Sequence, residues 1–216
     1  MPTDAEPLTQ AKNLLRQAFS ELKSPQEDWS SAEASLLAFS FLLSAWSQHM
    51  NLTGHKDLLT VTKHLILEAL AIETILPAGS SLVDLGAGAG IPGIPLGILR
   101  PRLAVTLLEA RERRHYFQKE AIRQLKLPNV RAVRSRIEDL TSSSYDLVIA
   151  QALAKPEQAL KWMLPLVQAG GWLAIPLGSS SAEPLAVANV EARVVEYRVP
   201  IVKLARKLWL GKKERV

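Results

Sequence analysis

The sequence predicts an α/β fold in which a mainly parallel, seven-stranded sheet is doubly wound and is preceded by an N-terminal helical extension. Up to residue 76, apolar residues recur at spacings of three and four, which is typical of amphipathic helices. After Pro77 and Gly79, short β-branched runs alternate with helical stretches, as in a parallel sheet covered on both faces. The 216 residues suffice for one sizeable core and a small appendage. We therefore expect a helical extension over 1–76 and a Rossmann-like domain over 77–216.

The first third of the chain contains three amphipathic stretches and no strand signal. These stretches are AKNLLRQAF, SLLAFSFLLSAW and LLTVTKHLILEALAIETIL. The segment NLTG, from Asn51 to Gly54, predicts a break between the second and third helical stretches because it combines turn-forming residues.

Strands and helices alternate through the rest of the chain. We expect strands at 81–85, 104–109, 129–133, 146–150 and 171–175, and helices at 93–99, 111–125 and 156–167. The tail over 191–210 predicts two further strands with a turn at Pro200.

Composition excludes several kinds of site. The absence of cysteine rules out thiolate nucleophiles, disulfides and cysteine-bound zinc. We expect no metal site, because the four histidines are scattered and no carboxylate pair has ligand spacing. The polar start MPTDAEPLTQ, and the lack of an apolar run approaching the roughly 20 residues of a membrane span, predict a cytoplasmic protein. The net charge of +5 is compatible with a polyanionic partner and equally with a basic surface that serves solubility alone.

The segment LVDLGAGAGIPG, from Leu82 to Gly93, carries the most specific local signal. Gly86, Gly88 and Gly90 allow a sharp turn and let a ligand approach the backbone. Because Ile91 stands where a dinucleotide-binding loop has its third glycine, the spacing argues against a dinucleotide. It suits a ligand without a pyrophosphate, and S-adenosylmethionine is such a ligand; an ordinary tight turn is the alternative. The loop residues expected at the ligand are Gly86, Ala87, Gly88, Gly90 and Ile91.

Acidic residues accompany three of the predicted strands. Glu109 ends the second strand, where a carboxylate can accept hydrogen bonds from both ribose hydroxyls of a ligand. Asp84 lies within the first, apolar strand, and a buried carboxylate requires hydrogen-bond partners, which loop amides and a nearby cationic ligand would supply. After the third strand, an adenine would lie against Ile137 with Glu138 near its amino group. Any one of these acids could be a surface residue, but all three together favour a binding crevice.

The ordered set of motifs resembles the small-subunit ribosomal RNA methyltransferase G family, also called glucose-inhibited division protein B. The matching segments are MNLTGHKD, KHLILEAL, VDLGAGAGIPGIPLGILRP, TLLEARERRHYFQKEAIRQL, SRIEDL, YDLVIAQALA and ARKLWL. The resemblance implies an S-adenosylmethionine-dependent methyltransferase fold and methylation of N7 of a guanosine in 16S ribosomal RNA. It implies a partner in small-subunit ribosomal RNA or its precursor particle. We also expect no membrane association and a monomer. Carried over by position, the donor site would include Gly86, Ile91, Ile137, Glu138 and Gln151.

Two positions depart from the family pattern. After the fourth strand the family resembles Ser-Arg-Ala, whereas this chain has Ala150, Gln151 and Ala152. The fifth strand of the family ends in Lys-Gly, and here it ends in Leu177 and Gly178. The first departure removes a guanidinium worth on the order of 1.5 to 3 kcal/mol when it binds a charged partner. A weakened or inactive RNA-binding relative is therefore the alternative function, and a methyltransferase for a small molecule or a protein is a third.

Basic residues near the active edge of the predicted sheet are candidates for phosphate contacts. The set expected at RNA is His64, Arg113, Arg114, Arg206 and Lys207. For any single basic residue a solvated surface is the alternative. For His64 the alternative is a core histidine bonded to backbone.

Overall fold

The computed structural model describes residues 5–22, 31–140, 144–177 and 185–215. Its seven strands are β1 Ser81–Leu85, β2 Ala104–Leu108, β3 Val130–Val133, β4 Tyr145–Ile149, β5 Val167–Leu177, β6 Val190–Arg198 and β7 Ala205–Lys213. They form one sheet in the order β3-β2-β1-β4-β5-β7-β6. The first five strands pair in parallel, and β7 is antiparallel to both β5 and β6. The predicted α/β fold with a mainly parallel seven-stranded sheet is confirmed.

The central strands are mainly apolar because both faces of the sheet are covered. Side chains alternate between faces along a strand, so neighbours pack into different cores. In β1, Leu82 belongs to one hydrophobic cluster, whereas Val83 and Leu85 belong to the other. The sheet therefore lies between two buried layers, and its carboxyl edge is left for polar residues.

Seven α-helices and two short helical segments accompany the described strands. The helices are α1 Ala5–Glu21, α2 Ala32–Ser47, α3 Leu58–Val61, α4 Leu67–Glu73, α5 Gly93–Leu99, α6 Glu112–Leu125 and α7 Pro156–Met163. A π-helix, Thr62–Ile66, joins α3 to α4, and Ile137–Asp139 forms a 3-10 turn after β3. Across the described ranges, no helix combines the length and the apolar character required to span a membrane.

The N-terminal helices pack directly onto the helices of the sheet. Phe39 of α2 and Phe117 of α6 lie with ring centroids 6.4 Å apart in one shared hydrophobic cluster. At the end of α5, the buried Arg100 forms a 2.8 Å ion pair with Glu73 and donates to the carbonyl oxygens of Glu73, Leu76 and Pro77. Carbonyls at the end of α4, which lack partners within the helix, are thereby satisfied. The division of the chain into 1–76 and 77–216 stays a prediction.

The boundary between α7 and β5 differs from the sequence prediction. The expected helix over 156–167 ends at Met163, and β5 begins at Val167 rather than at residue 171. Pro165 cannot continue a helix because it lacks an N–H and restricts the residue before it. Val167 instead pairs with Tyr145 of β4, so the chain enters the sheet immediately after the proline. The final strand also extends to Lys213, beyond the expected end at residue 210.

Candidate functional site

A cavity of about 410 Å3 lies at the carboxyl ends of the parallel strands. It is lined by Gly86, Leu108, Glu109, Ala110, Arg111, Arg114, Ser135, Arg136, Ile137, Glu138, Ala152 and Leu153. Segments that follow β1, β2, β3 and β4 all contribute, which is the usual ligand position in an open α/β sheet. Four of the predicted donor-site residues, Gly86, Glu109, Ile137 and Glu138, are brought together here.

The loop after β1 contributes Gly86 to the lining of this cavity. Gly86, Gly88 and Gly90 have φ angles of 67°, 55° and 77°, in the left-handed region that favours glycine. A Cβ atom on Gly86 would also collide with the Leu153 side chain, which follows β4. The backbone conformation at Gly86 therefore favours glycine, and a Cβ there would also require the Leu153 side chain to shift.

The other loop residues predicted at the ligand are not among the residues that line the cavity. Ala87 is buried, its N–H donates to the Leu108 carbonyl at 2.9 Å, and its own carbonyl accepts from Gly90 and Ile91. Ile91 is half-buried against the main hydrophobic cluster. Ala87, Gly88, Gly90 and Ile91 are absent from the described lining, so we expect them to shape the loop rather than form its ligand surface.

Glu109 is held by the backbone on both of its carboxylate oxygens. Its Oε2 accepts from the N–H of Gly88 at 3.0 Å, and its Oε1 accepts from the N–H of Arg111 at 2.8 Å. The guanidinium of Arg114 lies 4.0 Å from Oε2. A carboxylate has about four acceptor positions. Two therefore remain for ligand hydroxyls, although the side chain is buried.

Asp84 is fully enclosed beneath the loop and does not line the cavity. Its Oδ2 accepts from the N–H of Gly93 at 2.9 Å, so the amide that binds it belongs to the first residue of α5. Its Oδ1 is buried and has no hydrogen-bond partner among the described residues. Burial raises the pKa of Asp84 to about 8, opposed by the Gly93 amide and reinforced by the charge of Glu109. The hydrogen bond between Asp84 and the Gly93 amide joins β1 to α5. Direct contact of Asp84 with the methyl donor stays a prediction.

Gln151 lies just after β4, next to the cavity-lining residues Ala152 and Leu153. Its Oε1 is buried and lacks a hydrogen-bond partner in the described part of the chain. Ala152 has a positive φ of 51°, which turns the chain sharply at this point. Leu177, the second departure from the family pattern, is buried at the end of β5, and Gly178 lies outside the described residues.

The predicted RNA-contact residues fall into two groups. Arg113 and Arg114 are at the start of α6, and Arg114 reaches the cavity. Arg206 and Lys207 begin β7, where Lys207 pairs with Leu177 at the end of β5. They share a second cavity of about 280 Å3, lined by Glu196, Tyr197, Arg198, Ala205, Arg206 and Lys207.

Acidic neighbours partly neutralise the second group. Arg206 lies 3.4 Å from Glu68 of α4, and Lys207 lies 3.7 Å from Glu196 of β6. His64 is in the π-helix, four residues before Glu68. The pairing of Lys207 with Leu177 places Arg206 and Lys207 at the carboxyl edge of the sheet, the edge at which the 410 Å3 cavity lies.

Sequence reasoning missed residues whose role depends on tertiary contact. Leu153 covers Gly86, and the buried Gln118 of α6 donates from Nε2 to the Gly88 carbonyl at 2.9 Å. The available signal for Gln118 was a polar residue on the inner face of an amphipathic helix. For Leu153 the signal was its place shortly after the predicted fourth strand, where a side chain reaches the ligand edge.

The arrangement fits an adenosine-containing ligand. The cavity has the size of a small-molecule site, combines the apolar Leu108, Ile137 and Leu153 with the acceptor Glu109, and brings a glycine backbone to its lining. Among the described residues no group of three His, Asp or Glu side chains could hold a metal ion.

Comparisons with known proteins agree on one family. The profile of the family described as rRNA small subunit methyltransferase G matches residues 32–208. A protein of Legionella pneumophila named Ribosomal RNA small subunit methyltransferase G is 34% identical over 196 residues, covering 89% of this chain and 90% of the relative. Proteins of the same name from Chromohalobacter salexigens and Xanthomonas oryzae are 37% identical over 169 residues and 41% identical over 148 residues. They cover 77% and 68% of this chain, and 80% and 66% of the relatives.

Solved structures share the fold at low sequence identity. Coclaurine N-methyltransferase bound to N-methylheliamine and SAH aligns with a TM-score of 0.50 and 16% identity, covering 82% of this chain and 58% of that one. A Pyrococcus horikoshii protein described as a transferase aligns with a TM-score of 0.52 and 14% identity, over 64% of this chain and 58% of that one. These similarities show the methyltransferase-type Rossmann fold.

Proposed function

The chain belongs to the rRNA small subunit methyltransferase G family, and from this premise we propose that it methylates N7 of a guanosine in 16S ribosomal RNA. The methyl donor is S-adenosylmethionine. The observation that supports this function best is the 410 Å3 cavity at the carboxyl ends of β1 to β4, where Gly86, Glu109, Ile137 and Glu138 meet.

The donor site would be formed by three elements of the chain. Glu109 would accept from the ribose hydroxyls, Ile137 would pack on the adenine, and Glu138 would lie near its amino group. Because Gly86 has no side chain, the remaining part of the donor could approach its backbone closely. S-adenosylmethionine, when bound, supplies a methyl group on a positively charged sulfur. A nearby carboxylate favours that charge, and Glu109 is held in place by the Gly88 and Arg111 amides before any ligand arrives.

The acceptor chemistry requires little from the side chains. Guanine N7 carries a lone pair and no proton, so no general base has to remove a hydrogen before attack. The protein's task is then to orient two reactants and to exclude water, and orientation alone can supply a large part of the rate. This suits a cavity built from backbone, apolar side chains and one fixed carboxylate.

Recognition of the RNA would use the basic residues at the same edge. Arg114 lines the donor cavity and Arg113 precedes it in α6, while Arg206 and Lys207 line the second cavity. The N7 edge lies in the deep groove of A-form RNA, which side chains cannot enter, so the target guanosine would be unpaired or displaced. We expect the protein to act as a monomer in the cytoplasm on small-subunit RNA or its precursor particle.

A methyl-transfer assay tests the proposal directly. Small-subunit RNA from cells lacking the modification is incubated with methyl-labelled S-adenosylmethionine, both deproteinised and as assembled subunits, and the labelled nucleotide is mapped. We expect label on N7 of one guanosine. Tight donor binding without transfer to either substrate would contradict the proposal.

Gln151 favours a second candidate, a weakened or inactive relative that binds RNA. Its partnerless Oε1 stands where the family resembles arginine, next to the donor cavity. In that case the wild-type protein binds RNA without turnover, and Gln151→Arg combined with Leu177→Lys restores transfer. Wild-type turnover would exclude it.

The salt dependence of RNA affinity distinguishes an RNA methyltransferase from one that acts on a small molecule or a protein. Neutralising several phosphates makes RNA affinity fall steeply with ionic strength. We expect a steep linear decrease of log affinity with log salt concentration for the RNA complex. Affinity for small-subunit RNA that is weak and insensitive to salt would favour the other substrate class.

A further inference from the structure

Two histidine rings form a stacked pair that the proposed methyl-transfer chemistry does not use. The rings of His55 and His64 lie with centroids 4.8 Å apart and planes inclined by 13°. Both residues are half-buried, so part of the pair reaches solvent. Stacking covers one face of each ring, so the opposite faces are the ones with which a planar ligand could stack.

The backbone around His64 departs from a regular helix. The π-helix Thr62–Ile66 interrupts one continuous helical run, and the N–H of Leu67 donates to the carbonyl of Thr62, five residues earlier. Such wide turns are rare and often occur at functional sites. Here the wide turn contains His64, whose ring stacks on that of His55 in the preceding loop.

Hydrogen bonds connect the loop that carries His55 to α2 and the residue that follows it on one side, and to α3 on the other. The Lys56 carbonyl accepts from Ser44 Oγ and from Gln48 Nε2, both at 2.8 Å. Asp57 caps α3 by accepting from the N–H of Thr60 at 2.9 Å. The stacked geometry is thus organised in advance of any ligand.

The helical run that carries His64 contacts two residues of the basic cavity at the carboxyl edge of the sheet. Glu68, four residues after His64 along the helical run, accepts from the Tyr197 hydroxyl at 3.1 Å and lies 3.4 Å from Arg206. Arg206 and Lys207 line that cavity. An aromatic surface beside a cationic cavity is the combination that single-stranded nucleic acids bind.

We propose that the His55–His64 stack is a platform for an unpaired nucleobase of the RNA substrate, with a backbone phosphate of the same strand in the Arg206–Lys207 cavity. The identity of the RNA rests on the proposed function. Burial lowers the pKa of His55, and the neighbouring His64 lowers it further while Asp57 opposes the change. A neutral His55 ring, which can stack on a base, is therefore favoured.

The test measures binding of two fluorescein-labelled strands by anisotropy. One is a ten-nucleotide oligoadenylate, and the other has the same ribose-phosphate backbone without bases. Stacking on an aromatic side chain contributes about 1–3 kcal/mol per base, so we expect the wild type to bind the oligoadenylate about tenfold more tightly or better. His55→Ala should lose that advantage without changing affinity for the abasic strand, and His55→Phe should keep it.

His49→Ala is the matched control, because His49 is an exposed histidine in the turn after α2. An unchanged oligoadenylate affinity in both His55→Ala and His64→Ala would overturn the proposal. Equal losses for both strands, or no preference for bases in the wild type, would also overturn it. An unchanged melting temperature and dissociation constant for S-adenosylmethionine will show that each variant is folded.

The result is independent of methyl transfer. If wild-type protein shows the base preference and loses it in His55→Ala, the platform stands even where no methyl is transferred. If methyl transfer occurs without any effect of the histidines on binding, the platform fails and the proposed function stands.

Discussion

The backbone N–H of Gly88 donates to Oε2 of Glu109 over 3.0 Å and joins the loop after β1 to the end of β2. The other oxygen of Glu109 is fixed by the Arg111 amide at the start of α6. One buried carboxylate thus sets the relative positions of three segments that form the donor cavity. Binding of the donor should depend strongly on this residue.

Glu109→Gln is expected to weaken S-adenosylmethionine binding by about tenfold or more. The amide NH2 cannot accept from a backbone N–H, and hydrogen bonds to a charged group contribute about 1.5 to 3 kcal/mol. Isothermal titration calorimetry measures the change. Glu157→Gln, on the exposed surface of α7, is the control and should bind as the wild type does. Equal affinities for the Glu109 variant and the wild type would refute the assignment.

Gly86→Ala is expected to weaken donor binding and to lower stability. A left-handed backbone costs roughly 1–2 kcal/mol for a residue with a Cβ, and the new methyl group would meet Leu153. Adding Leu153→Ala should relieve the collision and leave only the backbone cost. Urea unfolding and calorimetry separate the two effects.

Gly54→Ala serves as the control for the glycine substitution. No atom lies within 4 Å of a Cβ built at Gly54, so its effect should be small. A Gly86 variant that behaves like the Gly54 variant would show that the loop does not require glycine there.

Much of the cavity could be predicted from sequence because parallel strands bring their carboxyl ends to one edge. Once the strands were recognised, Gly86, Glu109, Ile137 and Glu138 had to lie near one another. Contacts between distant elements could not be obtained in this way. Leu153 over Gly86, and the stack of His55 on His64, depend on loop conformations that no spacing pattern encodes.

Local chemistry explains the helix boundary that was misplaced. Apolar residues continue from α7 through Pro165 into β5, and periodicity alone does not separate a short buried helix from a buried strand. The proline and the pairing of Val167 with Tyr145 decide the boundary. Asp84 shows a different limit: its burial and a backbone-amide partner were expected, but the sequence did not identify the amide of Gly93 as that partner.

Gln151→Arg is expected to raise kcat/KM for methyl transfer to small-subunit RNA by about tenfold. A guanidinium at this position would add a charge and a bidentate donor beside the cavity, worth roughly 1.5 to 3 kcal/mol with a charged partner. Initial rates with labelled donor measure the gain. Gln158→Arg adds the same charge on exposed α7 and should change little. If both variants match the wild type, the position does not limit activity.

Arg100→Ala is expected to lower the free energy of unfolding by about 3–5 kcal/mol, because it leaves the buried Glu73 carboxylate without its cation. It also removes the donors that satisfy carbonyls at the end of α4. Urea unfolding measures the loss, with the exposed Arg102→Ala as the control. A loss no larger than that of a surface ion pair, about 1 kcal/mol, would contradict this role.

Asp84→Asn should change how stability depends on pH. Because the pKa of Asp84 is raised to about 8, the folded protein keeps a proton that the unfolded chain releases near pH 4. Between these values the folded state binds more protons. Wild-type stability should therefore fall with rising pH, by up to about 1.4 kcal/mol per pH unit from this group.

Asparagine retains an oxygen for the Gly93 amide and cannot ionise, so Asp84→Asn should gain stability relative to the wild type between pH 5 and pH 8. Urea unfolding at pH 5, 6.5 and 8 measures the difference, with the exposed Asp139→Asn as the control. A difference that is constant across this range would mean that Asp84 is already ionised in the folded protein. In that case Oδ1 of Asp84 would need a hydrogen-bond donor or a cation beside it, because burying an unpaired charge costs much free energy.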